Sequence, residues 1–425
     1  MKNKKIYITA ILFIFGFLIL GLWSFGSLTL FKHFCQTLIP ARSEFGKSPV
    51  LDKERVAEGF TLITPLNRTE VPVTESSIYL VDLYGRPVHI WKTSNKTHYS
   101  ILKNNGNVLS AQLNPVDKNY PYAGRITTIQ ELDPDSNVVW EYQNGAMHHD
   151  FDILPNNNLA VLVWQEVPDG LANFIKGGKP GTEFNKVNIF SDAILEIDHD
   201  KNVVWSWSAS KYLDPNEYEI PAFFTREQWT HANSLKYVQS DPFYGKESYL
   251  VSMRYLNEVF LISKETGEII WKSPKGLLGH QHDATILDNG HILVFNNAYY
   301  TEVSPNPYGY GSQVLEIDPK TNKIVWEFSG GNNPLDRSRL TEVILSGAQR
   351  LPNGNTLITL GTSGRIIEVT PDKKIVWDMI NPYSGPTSES FPSNYIFKAR
   401  KYSNEYAGKV VKSKDPIHGL NSYCW

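Results

Sequence analysis

Six times along this chain a short apolar run closes on a tryptophan: Trp91, Trp140, Trp205, Trp271, Trp326 and Trp377. The intervals are 49, 65, 66, 55 and 51 residues, a period that belongs to repeat architectures built one supersecondary unit at a time. An indole at the same place in every unit reads as a wedge between neighbours and carries no chemistry. With 425 residues, 41% of them hydrophobic, the chain has material for one large domain or two smaller ones.

The clearest unit spans residues 281–328. A strand-like run at 283–287 meets the tight turn Asp288-Asn289-Gly290, and 292–295 returns as its partner. A third run at 314–317 turns through 318–322 into a fourth, 324–328, which carries Trp326. The first hairpin recurs at Leu154-Pro155-Asn156, at Leu351-Pro352-Asn353-Gly354 and, more loosely, at Leu102-Lys103-Asn104-Asn105-Gly106. Four-stranded antiparallel units of this length are the blades of β-propellers, where radial closure leaves few exposed edges. The tryptophans count six blades, so the expected fold is all-β, a six-bladed propeller over 58–402. The first unit shows three strands only (60–64, 77–82, 87–91), which predicts that 395–402 returns to supply the fourth and close the ring.

Three blades open with a histidine just ahead of the first strand. His149 stands five residues before Leu154 and His282 five before Leu287; His231 stands four before Leu235, with Asn233 two residues on. First strands line the propeller axis, so these side chains are expected to converge there. Arg254 ends the run 249–253, the second strand of the fourth blade, and belongs on the same face. The long loops of that face (165–191, 208–229, 298–311, 329–345) carry Phe174, Phe184, Phe223, Phe224, Trp229, Tyr299, Tyr300, Tyr308 and Tyr310. An aromatic mouth over histidines and an arginine suits a flat, anionic small molecule. His148 is expected to point away from His149. His33, His89, His98, His199, His280, His291 and His418 fit no shared station and read as structural or surface residues, while Asp150 and Asp283, each following a station histidine, are candidates for orienting loops.

Lys2, Lys4 and Lys5 precede an uncharged stretch, residues 6–31, long enough to cross a bilayer. This predicts a membrane anchor at 1–33 with a cytoplasmic N-terminus, a linker at 34–57, the propeller on the extracytoplasmic side and a tail at 403–425. A cleaved signal segment is the alternative, with small residues at Ser24-Phe25-Gly26. The cysteines, Cys35 and Cys424, give no metal spacing; they either join the termini or stay as thiols. The net charge of −3 leaves no basic stripe for nucleic acid.

These residues together resemble the bacterial arylsulfate sulfotransferase family, the type independent of the phosphoadenosine donor. The matching stretches are His148-His149-Asp150-Phe151 with Leu154-Pro155-Asn156, His231-Ala232-Asn233-Ser234 with Ser252-Met253-Arg254, Gln281-His282-Asp283-Ala284, and Gln349-Arg350-Leu351-Pro352-Asn353-Gly354-Asn355. The resemblance covers roughly residues 58–402. It implies a six-bladed propeller that transfers a sulfuryl group from a phenolic sulfate ester to another phenol, through a transiently sulfated histidine that falls on His282. The supporting residues fall on His231, Asn233, Arg254 and His149. Asn296-Asn297-Ala298 stands where relatives carry Asp-Asn-Gly, a departure that bears on donor preference. A retained anchor would be a second departure, since the familiar members are soluble periplasmic proteins.

The residue types suit that chemistry independently. A neutral imidazole can attack sulfur and split one displacement into two, and an adjacent cation keeps it unprotonated. Arginine, amide and imidazole donors suit negative sulfuryl oxygens, and His231 or His149 can exchange a proton with the phenol. The expected partners are an aryl sulfate donor and a phenolic acceptor, with no cofactor and no metal. Two alternatives stand beside it. One is a His-ligated metal propeller, against which Arg254 argues by repulsion. The other is a binding scaffold or quinone-type propeller, suggested by the blade motif at 263–271. Sulfatase chemistry is excluded because neither cysteine lies in a Cys-x-Pro-x-Arg setting, and the near phosphate-loop at 41–48 lacks its first glycine and a preceding strand.

Overall fold

Short β-branched runs bounded by Asx-rich turns make the strands. In the inner hairpins the residue opening the turn donates its N–H to the carbonyl four places on: Lys103 to Asn107 (2.8 Å), Leu154 to Asn158 (2.9 Å), Leu287 to His291 (2.8 Å) and Leu351 to Asn355 (2.8 Å). Each turn needs one left-handed residue, supplied by Gly106, Asn157, Gly290 and Gly354 at φ of 92, 66, 82 and 85°. The computed structural model describes residues 50–66, 75–113, 120–121, 123–182, 188–298, 311–330, 340–383 and 394–411.

A two-residue strand, β1 (Val50–Leu51), opens this stretch. Blade one contains β2 (Phe60–Ile63), β3 (Ser76–Val81) and β4 (Pro87–Thr93). Blade two is β5 (Lys96–Leu102), β6 (Val108–Leu113), β7 (Thr128–Leu132) and β8 (Val138–Gln143). Blade three is β9 (Met147–Ile153), β10 (Leu159–Glu166), β11 (Phe190–Ile197) and β12 (Val203–Ser208). Blade four is β13 (Ala232–Val238), β14 (Ser248–Met253), β15 (Glu258–Ser263) and β16 (Ile269–Lys272). Blade five is β17 (His282–Ile286), β18 (Ile292–Asn296), β19 (Gln313–Asp318) and β20 (Lys323–Phe328). Blade six is β21 (Gly347–Arg350), β22 (Thr356–Leu360), β23 (Arg365–Val369) and β24 (Ile375–Ile380). The six-bladed propeller expected from the tryptophans is the observed architecture.

The ring closes as anticipated. β25 (Arg400–Tyr402) pairs antiparallel with β2, Phe60 opposite Tyr402 and Leu62 opposite Arg400, and takes the innermost position of blade one. The bridge Pro65–Ile396 extends the seam. A feature the sequence did not announce is β1, which adds a fifth, outermost strand to blade six through Val50–Asp378 and Leu51–Trp377. Part of the expected linker is therefore sheet.

Every tryptophan of the ladder lies on the outermost four-strand position of its blade, and the indoles do more than fill space. Trp140 Nε1 donates to the His199 carbonyl (2.9 Å), Trp205 to that of Lys264 (2.9 Å), Trp271 to Asn322 Oδ1 (2.9 Å), Trp326 to the Pro371 carbonyl (3.0 Å) and Trp377 to that of Leu83 (2.8 Å). Each acceptor lies in the turn between third and fourth strands of the next blade, and Trp377 to Leu83 crosses the closure seam. Trp91 is the exception, its Nε1 buried without a partner among the described residues. Apolar clusters fill each blade interface, for example Leu162, Trp207, Leu235 and Tyr249 between blades three and four.

Among the described residues no helix is long and apolar enough to cross a membrane. The expected anchor at 1–33, Cys35, Cys424, His33, His418, Phe184, Tyr299, Tyr300, Tyr308, Tyr310 and most of the expected tail lie outside the described residues.

Candidate active site

Counting back five residues from the residue that opens each inner turn gives His98, His149, His282 and Ser346. Bonds between neighbouring blades extend the alignment. Asp150 Oδ2 accepts from Leu235 N (3.0 Å), Ser234 Oγ from Ala284 N (3.1 Å), and Asp283 Oδ2 from Ala348 N (3.0 Å). Asp150, Ser234 and Asp283 are thus equivalent, and the residues ahead of them are His149, Asn233 and His282. Two expectations are corrected here. Asn233, not His231, holds the fourth blade's station, and His98 shares a station it was denied. Blade four lacks the short Asx turn, its hairpin running from Val238 to Ser248, so Leu235 is not the counterpart of Leu154.

Pairing registers shift at these stations in blades two to five, in the intervals Thr97–Tyr99, Met147–Phe151, Ala232–Ser234 and His282–Thr285. Such bulges re-aim side chains that a regular pleat would alternate. Left-handed backbone at His149 (φ 54°), His231 (49°), His280 (52°), Asp283 (51°), Leu345 (63°) and Ser346 (85°) marks the same zone, as strain commonly does at functional sites. For the same reason His148 does not point away from its neighbour: its Nδ1 lies 2.9 Å from His149 Nδ1.

The bulges open a cavity of about 350 Å³ lined by His98, His149, His231, His282, Arg254, Tyr255, Leu345 and Phe397, among others. His282 has its protonation pattern set by neighbours. Asn297 donates its amide to the carbonyls of Glu342 (2.8 Å) and Leu345 (3.3 Å), which leaves Asn297 Oδ1 facing His282 Nδ1 at 2.7 Å. Nδ1–H therefore donates to Asn297, and Nε2 keeps its lone pair, contacted only by the Leu345 N–H at 3.3 Å. His231 bonds Gln228 Oε1 through Nδ1 and is stacked on Tyr255 (4.4 Å between centroids), itself stacked on Phe224 (3.8 Å). The His149 and His231 rings meet at 4.7 Å.

Arg254 completes this wall. Its guanidinium is held over the Phe224 and Tyr255 rings at 5.3 and 5.7 Å, and it has no carboxylate partner among the described residues. Its Nε is buried without any partner among those residues. Burial and this cation together hold the imidazoles neutral: His282 and His280 are pulled down to about 3, and His231 well below its usual value, by burial first and Arg254 second. His149 is lowered by burial and then by His231. An unpaired buried cation beside uncharged imidazoles leaves the cavity suited to an anion. Among the described residues no group of three or more His, Cys, Asp or Glu is disposed to hold a metal ion.

Asn233 is not on the cavity wall. Its Nδ2 donates to the Gln281 carbonyl at 2.8 Å, one residue before His282, while its Oδ1 is buried without a partner among the described residues. Asp150 and Asp283, both buried, join the neighbouring blade to the closing segment. Lys398, brought in by the closing segment, binds Asp150 Oδ2 (2.7 Å) and Asp283 Oδ1 (3.2 Å), and Arg400 binds Asp283 Oδ1 (2.5 Å). Asp283, Lys398 and Arg400 of this charged layer line a second cavity, of about 670 Å³, which includes Lys236 and Arg350 and no histidine. Of the expected mouth aromatics, Phe174 and Phe223 are exposed, Phe224 joins the stack, and Trp229 is core, fully buried with its Nε1 on the Tyr218 carbonyl (2.9 Å).

A family model described as arylsulfotransferase (ASST) matches residues 128–382. No curated protein matches the chain. Among solved structures, a protein of unknown function from Bacteroides caccae is 14% identical, with 81% of this chain and 98% of that one covered at a TM-score of 0.47. The Cps50 (Swd1) β-propeller domain of Myceliophteria thermophila is 10% identical, with 80% and 91% covered at 0.43. Virginiamycin B lyase from Staphylococcus aureus is 11% identical, with 80% and 90% covered at 0.38.

Proposed function

Because the chain belongs to the arylsulfotransferase family, we propose that it moves a sulfuryl group from a phenolic sulfate ester to a phenolic acceptor in two displacements through a sulfohistidine on His282. The single observation that carries this reading is the His282 imidazole, which lines the cavity beside Arg254, commits its Nδ1–H to Asn297 and meets at Nε2, among the described residues, the Leu345 N–H at 3.3 Å. In the first displacement Nε2 bonds to sulfur and the S–O bond to the donor phenol breaks. In the second the acceptor oxygen bonds to sulfur, the N–S bond breaks, and the acceptor's proton passes to a neighbouring imidazole, His231 or His149. Arg254 faces the sulfuryl oxygens, whose charge needs positioned donors more than covalent help. Asn233 acts one layer back, through the Gln281 carbonyl that precedes His282.

In this reading the reaction lies outside the cytoplasm, behind a membrane segment at residues 6–31; protection of the propeller from protease in spheroplasts would contradict that placement. The chemistry is tested by incubating the protein with an aryl sulfate and no acceptor. A sulfuryl mass on the peptide containing His282, and loss of turnover in His282→Ala, are expected. A His282→Ala variant that still turns over refutes the nucleophile.

A further inference from the structure

Behind His149, on the side away from the cavity, lies a line of buried polar groups that the two displacements above do not use. Asp192, on β11, accepts from Ala232 N (2.8 Å) and the Thr230 hydroxyl through Oδ2. Its other oxygen, Oδ1, lies 3.1 Å from His148 Nε2. The contact is angled, an ion-pair approach and not an aligned hydrogen bond, yet among the described residues neither atom has any other partner, and both are buried. A carboxylate at that distance requires the proton of His148 on Nε2. His148 Nδ1 is then a lone pair, and it accepts from His149 Nδ1–H at 2.9 Å. The result is directional: His149 presents its bare Nε2 to the cavity. The His148 ring is also stacked on Trp164, with centroids 4.0 Å apart and planes 19° apart, a face that attracts positive charge. Gly124 completes the fit, because a Cβ there would run into the His149 ring.

We propose that Asp192 and His148 are positioning residues that make His149 the carrier of the phenolic proton. This rests on the sulfuryl-transfer reading. In the second displacement the phenol O–H bond breaks, its oxygen bonds to sulfur, and the S–Nε2 bond to His282 breaks. The proton goes to His149 Nε2, and the charge it brings spreads through Nδ1–H to the ring held between Trp164 and Asp192. Between turnovers that proton passes to water, leaving His149 neutral, and in the next first displacement the departing phenolate takes a proton from water, so the cycle balances without another reactant.

The test uses the sulfated protein in single turnovers with two acceptors: an alkylphenol, un-ionised at the assay pH, and pentafluorophenol, already ionised. A base is needed only for the first. Asp192→Asn is expected to slow transfer to the alkylphenol by roughly tenfold or more, the scale of lost orienting partners, and to slow transfer to pentafluorophenol by less than about threefold. His148→Phe, which keeps a ring on Trp164 and removes both nitrogens, is expected to show the same discrimination and serves if Asp192→Asn does not fold. Equal losses with both acceptors, or none with either, overturn the relay. If the unaltered protein takes up no sulfuryl group on His282, the reaction itself is wrong and the relay falls with it.

Discussion

At the scale of single residues, the site is a problem of protonation states decided by second neighbours. His282 was legible because a histidine stands five residues ahead of a Leu-plus-turn signature in two blades; Asn297, which fixes its tautomer, sits fifteen residues away in a loop, and the sequence drew notice to that stretch only through its neighbours Asn296 and Ala298. Asn297→Ala should leave His282 Nδ1 with the His280 carbonyl alone, at 3.1 Å. Sulfuryl uptake from an aryl sulfate is then expected to slow by about tenfold to a hundredfold, read as the burst rate of phenol release. An unchanged burst would show that the His280 carbonyl suffices. The misreading of His231 has an equally local cause. Leu235 is not the counterpart of Leu154, because the fourth blade's wider hairpin lacks the short turn that anchors the spacing, and the left-handed backbone at His231 brings an off-station ring to the cavity. Asp192 left no trace at all, since one aspartate in a buried third strand looks like any other until its blade is folded against Thr230 and Ala232.

At the scale of strands and blades, the tryptophan ladder was readable because hydrophobic periodicity survives insertion, whereas the indole N–H clamps depend on which turn lies beside each ring. Trp326 shows the cost of one clamp. Its ring is half-buried and its Nε1 reaches the Pro371 carbonyl across the interface of blades five and six. Trp326→Phe should keep most of the packing and lose that bond, lowering unfolding free energy by about 1 kcal/mol; denaturant melts would show the shift as a lower midpoint with an unchanged slope. The closing strand does more than seal an edge. Lys398 and Arg400 arrive last in sequence yet hold the aspartates that follow both station histidines. Lys398→Met strips one cation from two buried carboxylates, so a loss of about 3–5 kcal/mol is expected. A near-neutral result would mean that Arg400 alone satisfies the layer.

At the scale of the whole molecule, function and stability pull against each other through the same imidazoles. His149, His231, His280 and His282 are all held below their ordinary values, chiefly by burial, with Arg254 adding to the effect on the last three. In the unfolded chain each would titrate near 6.5. Below that pH the unfolded chain binds protons that the folded site refuses, so stability is full above about pH 6.5 and falls as the solution is acidified, by up to about 1.4 kcal/mol per pH unit for each histidine. Asp150, pushed up by burial, opposes this, while Asp283, held down by Arg400 and Lys398 against its burial, adds to the loss only below the usual carboxylate range. Three consequences distinguish this account from general acid lability. The melting temperature should drop steeply between about pH 6.5 and 5, before carboxylates titrate. Over that same interval the donor-side kcat/KM should stay level while the protein remains folded, because His282 is already neutral. Replacing His280, which lines no part of the described cavity, with Asn should flatten the stability slope. A melting temperature that is constant across this interval, or a rate that falls through pH 6.5 with the fold intact, would mean that the imidazoles are charged in the resting site and that the anion is met by histidinium as well as by Arg254.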